Sequence, residues 1–137
     1  MITDASTLDE AISRVGGAGV TVRGERGVSG GCIANGTRVD LSDGRSLFVK
    51  RSRTLPREMF AAEASGLAAL RAAPGPRVPR VEAVSRGADE GFIVMEWIEP
   101  GSRRSDTDAE FGRELAALHQ DGGSSRFGFE TDNFIGA

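Results

Sequence analysis

A lysine, a glutamate and a run of glycines are the residues of this chain whose types and spacing could do chemistry. Gly27-Val28-Ser29-Gly30-Gly31 can form a tight turn whose backbone N–H groups approach phosphate oxygens closely. Lys50 closes the run Ser46-Leu47-Phe48-Val49-Lys50, and a lysine meets phosphate as a flexible point charge. Further on, Phe60, Glu63, Leu67 and Leu70 recur at helical spacing on one face. Glu63 is the charged member of that apolar stripe. A carboxylate there is costly without a cation, and Lys50 is the natural partner. Together these parts could hold a nucleotide's phosphates, with a lysine kept in place by a carboxylate.

Each part also has a plainer reading. A lysine at a strand end is commonly an exposed terminus, and Glu63 could be a boundary residue that reaches solvent. Gly24, Gly27, Gly30 and Gly31 match neither a P-loop nor the spacing G-x-G-x-x-G, and no Lys-Ser or Lys-Thr follows them. By themselves they read as a hairpin connection. The order of the parts is what favours a site.

Several other chemistries are excluded or weak. A single cysteine, Cys32, rules out an intramolecular disulfide and a cysteine-based zinc site. With one histidine, His119, a metal cluster or a Ser-His-Asp triad would rest on that residue alone, and a capping role at a helix end suits it better. The net charge of −3 shows no basic excess, which argues against nucleic acid and against an anionic membrane surface. Arg51, Arg53 and Arg57, and the pair Arg103 and Arg104, read as solvated surface. No run is apolar enough to span a bilayer, and the acidic start MITDASTLDE lacks a signal-peptide layout. A cytoplasmic protein is expected.

The elements that must position these residues can be read along the chain. Its 137 residues, 39% hydrophobic and 27% charged, suit one domain with a core. Thr7 and Glu10 form a capping box for a short helix bearing Leu8, Ile12 and Val15, which Gly16-Gly17 ends. Val20 and Val22 alternate with polar residues as in a half-buried strand. Val39 and Leu41 alternate likewise, Ser42-Asp43-Gly44-Arg45 supplies a hairpin turn, and residues 46–50 form the next strand. On it Phe48 and Lys50 share one face, and Leu47 and Val49 the other.

A helix is expected over residues 56–72, with Pro56 at its first position and Phe60, Leu67 and Leu70 facing inward. Pro74-Gly75-Pro76 stops it. Strands follow over residues 80–84 and 91–98. The second is almost continuously apolar and so central. After a polar linker, a last helix begins near Asp106 with a capping box at Thr107 and Glu110, carrying Phe111, Leu115 and Leu118. Residues 122–137 are loop-like and hold Phe127, Phe129, Phe134 and Ile135. The expected fold is α+β: a five-stranded antiparallel sheet with one main packed helix, a linker, and one helix of a second lobe. The divisions fall at residues 1–98, 99–104 and 105–137.

Seven stretches carry a resemblance. They are Ser29-Gly30-Gly31-Cys32-Ile33, Leu47-Phe48-Val49-Lys50, Glu58-Met59-Phe60-Ala61-Ala62-Glu63, Val94-Met95-Glu96-Trp97-Ile98, Leu115-Ala116-Ala117-Leu118-His119, Phe127-Gly128-Phe129 and Asp132-Asn133-Phe134-Ile135-Gly136. In this order they resemble the N-terminal portion of the fructosamine (ketosamine) kinases, over nearly the whole chain. Aminoglycoside phosphotransferases and protein kinases share the lysine, the glutamate and the hinge, but not this set. The resemblance implies a protein-kinase-like N-terminal lobe that binds ATP. Lys50 would contact the phosphates and Glu63 would pair with it. Ser29, Gly30, Gly31 and Cys32 would cover the phosphates. Glu96 and Ile98 would offer backbone groups to the adenine, with Trp97 packed between them. The family phosphorylates the 3-hydroxyl of sugars attached to amines.

The chain departs from the family in one large respect. The family's catalytic loop carries His-Gly-Asp followed by an Asn, and a later Asp binds magnesium. Here Asp121 and Asp132 are not preceded by His-Gly, and His119 is followed by Gln120. The resemblance therefore implies an ATP-binding half that is inactive alone, with magnesium and the glycated amine held only by the full-length enzyme. In this family a cysteine in the glycine loop can join two subunits, so Cys32 is a redox candidate. The apolar surface after Asp106 offers a separate route to a homodimer. The alternative function is a non-catalytic interaction or nucleotide-binding fragment that self-associates.

Overall fold

A computed structural model describes residues 2–29, 35–86, 90–121 and 128–134. In chain order the elements are β1 (Thr3–Ala5), α1 (Leu8–Gly16), β2 (Val22–Val28), β3 (Asn35–Leu41) and β4 (Ser46–Ser52), then α2 (Arg57–Ala72), β5 (Val81–Ser85), β6 (Gly91–Glu96) and α3 (Thr107–Asp121). The strands form one sheet in the order β1-β5-β6-β4-β3-β2. Neighbours from β5 to β2 run antiparallel, whereas β1 lies parallel to β5.

The sheet is thus six-stranded and mixed, not five-stranded and antiparallel. The extra strand is too short to show an alternation of its own. It is held by pairing from Thr3↔Ala83 to Ala5↔Ser85, by the Arg86 N–H donating to the Ala5 carbonyl at 2.7 Å, and by an ion pair between Arg86 and Asp4.

Strand alternation places a core on each face. On one, Leu47 and Val49 join Val39, Leu41, Ala83, Phe92 and Val94 beneath Ala11 and Ile12 of α1. On the other, Phe60 and Ala64 of α2 cover Val81, Val84, Ile93 and Met95, with Phe48 and Leu67 packed beside them. Two helices therefore pack on the sheet, one per face, rather than one. The central strand β6 lies between β5 and β4, and Ile93 and Val94 are fully buried.

Local chemistry explains most element ends. The Thr7 hydroxyl accepts the Glu10 N–H at 3.2 Å. The Glu10 carboxylate reaches back to the Ser6 N–H at 2.8 Å, one residue before the cap. At the β3–β4 turn, Gly44 has φ +88°, which a glycine adopts without steric cost. Asp43 accepts the Arg45 N–H, and the Arg45 guanidinium donates to the Val15 and Gly16 carbonyls. The hairpin is thereby tied to the end of α1.

Other expectations fail for identifiable reasons. Pro56 is the residue before α2, in an extended conformation, not its first helical residue. Leu70 is 44% exposed, because ten residues at about 100° each rotate it well away from Phe60. Ala64 takes the inward place instead. Val22 is exposed, since β2 is an edge strand with little packed against it. β6 ends at Glu96, two residues earlier than expected.

The capping box of α3 does not form. Thr107 is already helical, its hydroxyl accepts the Arg104 N–H at 2.9 Å, and Glu110 pairs with the Arg104 guanidinium. The helix buries none of its residues. It approaches the rest of the chain where Leu118 meets Gly75 closely enough that a Cβ there would lie 3.0 Å from the leucine. Phe111, Phe129 and Phe134 are exposed. Phe127 and Ile135 lie outside the described residues.

Three carboxyls that accept local hydrogen bonds are held below their ordinary pKa. The Ser6 N–H does this to Glu10, the Ser46 hydroxyl and then Arg38 to Asp40, and the Arg45 N–H to Asp43. A depressed folded pKa means that the stabilisation is present above the unfolded value, near 4, and is lost as pH falls through the folded one. Thermal stability is expected to be flat from pH 7 to about 5 and to drop below about 4. Asp40→Asn should flatten the acid limb in a melting-temperature series against pH. An unchanged limb would show that Asp40 carries none of it.

Candidate functional site

The face that carries α2 opens at one end into a cleft of about 450 Å3. Strand pairing explains its floor. Gly36 lies opposite Lys50, and Arg38 opposite Phe48, while Phe48 lies opposite Met95. All five side-chain positions therefore share one face of the sheet. Leu67 of α2 and Pro79, together with Val28 and Ser29, line its sides, and Glu96 at the end of β6 with Trp97 and Ile98 beyond it forms the rim.

Lys50 and Glu63 meet inside this cleft. The Lys50 Nζ donates to both Glu63 carboxylate oxygens at 2.8 Å. Each side chain leaves 30% of its surface exposed. The pair is therefore neither a buried ion pair nor a solvated one. Lys50 keeps its partner and still presents its ammonium to the cleft. The exposure also corrects the expectation of a carboxylate sunk in an apolar stripe: Glu63 sits at the edge of the buried face, between Phe60 and Leu67.

The rim is held by an ionic network. Arg38 donates through Nε to Asp40 at 2.7 Å and through Nη2 to the Ser46 hydroxyl at 3.0 Å, and pairs with Glu99 at 3.0 Å. Its guanidinium carbon lies 4.8 Å from the Trp97 ring centroid, within cation–π range. Phe48 meets the same ring at 6.3 Å and 39°. The Trp97 N–H donates to the Ser46 carbonyl at 3.4 Å. Glu96 already donates its N–H to the Arg80 carbonyl at 2.9 Å, so that N–H is not free for a ligand. The Ile98 N–H makes no backbone hydrogen bond among the described residues.

Of the residues singled out by sequence, Ser29, Lys50, Glu63, Glu96, Trp97 and Ile98 all line this one cleft. Gly30, Gly31 and Cys32 lie outside the described residues. His119 is exposed in the last turn of α3, away from the cleft. The sequence reading missed Gly36, Phe48, Met95 and Arg38 as parts of the site. Phe48 was legible, because it shares the face of Lys50. Gly36 was not: its role is to leave room for the Phe48 ring, which a Cβ would approach to 3.0 Å. No three His, Cys, Asp or Glu side chains among the described residues stand close enough to hold a metal ion.

Known proteins resemble this chain in sequence and in fold. The sequence profile of the fructosamine kinase family matches residues 5–137. A probable ketoamine kinase from Synechocystis sp. is 42% identical over 132 residues, which is 96% of this chain and 44% of that protein. A chloroplastic protein-ribulosamine 3-kinase from Arabidopsis thaliana is 40% identical over 112 residues, covering 80% of this chain and 34% of that one. A crystal structure of a putative fructosamine-3-kinase from Thermobifida fusca superposes with a TM-score of 0.67 at 33% identity over 86% of this chain and 40% of its own. One from Haemophilus somnus reaches 0.76 at 23% identity, covering 92% and 42%, and so speaks for the fold. The chain spans less than half the length of these relatives. With a matching profile over almost every residue and relatives at 42% and 40% identity, this chain belongs to the fructosamine kinase family.

Proposed function

We propose that the chain is the ATP-binding lobe of a kinase that phosphorylates the 3-hydroxyl of a sugar carried on an amine, of the fructosamine or ribulosamine type. The observation that carries this reading is the Lys50–Glu63 pair at 2.8 Å within the cleft. A lysine oriented by a helix carboxylate is how kinase lobes hold nucleotide phosphates. The cleft fits the group in three further respects. Its volume of about 450 Å3 lies in the range of small-molecule sites. Phe48 and Met95 offer apolar and aromatic surface for a base. At the rim, the Ile98 N–H and the Glu96 carbonyl supply a donor and an acceptor at its edge.

Bound ATP would supply the phosphoryl group. Lys50 would hold its phosphates, Glu63 would keep the lysine in place, and the loop of Ser29, Gly30, Gly31 and Cys32 would lie over them. A magnesium ion is expected only in the full-length enzyme. We divide the chain into a nucleotide lobe over residues 1–98, a hinge over 99–104 and the start of a second lobe over 105–137. No His-Gly-Asp occurs among the 137 residues, so these residues alone lack the base that receives the sugar hydroxyl's proton.

Binding without turnover is the expected result. Calorimetric titration of the 137-residue chain with ATP should give saturable binding. Incubation with ATP, magnesium and a ribulosamine or fructosamine should release no ADP above background. Turnover that survives repurification would overturn the inactivity, and a flat titration would overturn the lobe assignment.

A further inference from the structure

Arg38 makes more polar contacts than any functional reading above requires, and they join three separate pieces of the chain. From β3 it reaches Asp40 on its own strand, Ser46 on β4 and Glu99 beyond β6, and it lies over Trp97. Only 21% of its side chain is exposed, although its charge would favour solvent. The segment it touches has left the sheet: β6 ends at Glu96. Beyond that point one long backbone bond of 3.4 Å, from the Trp97 N–H to the Ser46 carbonyl, ties the segment to β4. The Trp97 Nε1 is buried and has no partner among the described residues, so the indole is placed by its ring contacts and not by its own hydrogen bond.

We propose that Arg38 is a positioning residue. It clamps residues 97–99 onto the sheet and so fixes the backbone edge of the cleft against which a nucleotide base would lie. The proposal rests on the nucleotide reading above. Arg38 does not touch the phosphates; Lys50 occupies that end. The planar fork of an arginine suits this task, because it can bond Asp40, Ser46 and Glu99 in one plane while its face stacks on an indole. A lysine could keep the charge but not all of these contacts.

The test separates the base edge from the phosphate end. Trp97 is the sole tryptophan, so its emission and its quenching by acrylamide report on the clamp directly. The variants are Arg38→Met, Arg38→Lys and Glu99→Gln, each titrated with ATP and with inorganic tripolyphosphate. In Arg38→Met, ATP affinity should fall about tenfold, as expected if the segment is correctly placed only about a tenth of the time. Tripolyphosphate affinity should be unchanged, and Trp97 quenching should rise. Arg38→Lys should recover part of the ATP affinity, and Glu99→Gln should show a smaller loss of the same kind.

Unchanged ATP affinity in Arg38→Met would overturn the proposal. So would an equal loss for ATP and tripolyphosphate, which would mark a general disruption. If the unaltered chain binds no ATP, the nucleotide reading fails on its own account. The clamp is then judged by Trp97 quenching alone: an increase in Arg38→Met supports it, and no change refutes it.

Discussion

Phe60→Ala is expected to cost about 3–5 kcal/mol of stability, a large part of the ~5–15 kcal/mol that a domain has. Phe60 is 1% exposed and anchors α2 on Val81, Val84, Ile93 and Met95. Its ring lies over Gly91 so closely that a Cβ there would come within 2.6 Å of it. Gly91→Ala alone should therefore destabilise by about 1–3 kcal/mol through overpacking. In the double variant the two losses should not add, because the alanine methyl would enter the space vacated by the ring. Urea denaturation of the four proteins reads this coupling as shifts in midpoint. A loss below about 1 kcal/mol for Phe60→Ala, or strict additivity, would contradict the packing. The consequence reaches the site, since Phe60 lies one turn before Glu63 on the same helix. A loosened α2 would carry the carboxylate away from Lys50.

Lys50→Met is expected to weaken ATP binding by about 10- to 150-fold, the worth of a hydrogen bond to a charged group at about 1.5–3 kcal/mol. Adenosine, which has no phosphates, should bind the variant and the original alike. Glu63→Gln should fall between them, because the ammonium remains but loses the charge that orients it. Stability should change little in either variant. Both side chains keep 30% of their surface in solvent, which screens the pair and brings its contribution towards the ~1 kcal/mol or less of exposed pairs. Calorimetric titrations with ATP and adenosine decide the matter. Equal ATP affinity in Lys50→Met would remove Lys50 from the phosphate site. Equal losses for both ligands would point to a collapsed cleft.

Much of this architecture was legible in residue spacing. The period-2 pattern of Leu47, Phe48, Val49 and Lys50 assigned their faces correctly, because alternation is a local property of an extended backbone. The helical stripe of Phe60, Glu63 and Leu67 brought the carboxylate to the sheet, and the continuous apolar run of β6 announced a central strand. Asp43-Gly44 marked its hairpin through the φ that glycine alone adopts freely. The ordered motifs pointed to the family, and the family profile agrees over residues 5–137.

What the tertiary structure decided is of a different kind. β1 has only three residues, and its pairing with β5 spans some eighty positions of chain. No local pattern encodes so distant a contact. The same holds for α1, whose small apolar face acquires a core only once β1, β5 and β6 lie beneath it. Leu70 and Val22 carry apolar side chains that the fold leaves outside, since burial depends on which neighbours arrive. Gly36 and Arg38 are the clearest cases. A glycine and an arginine in a strand carry no functional signal by themselves. Their roles, leaving room for a ring and clamping a rim, exist only because cross-strand pairing sets them opposite Lys50 and Phe48 and the chain beyond β6 brings Trp97 against Arg38.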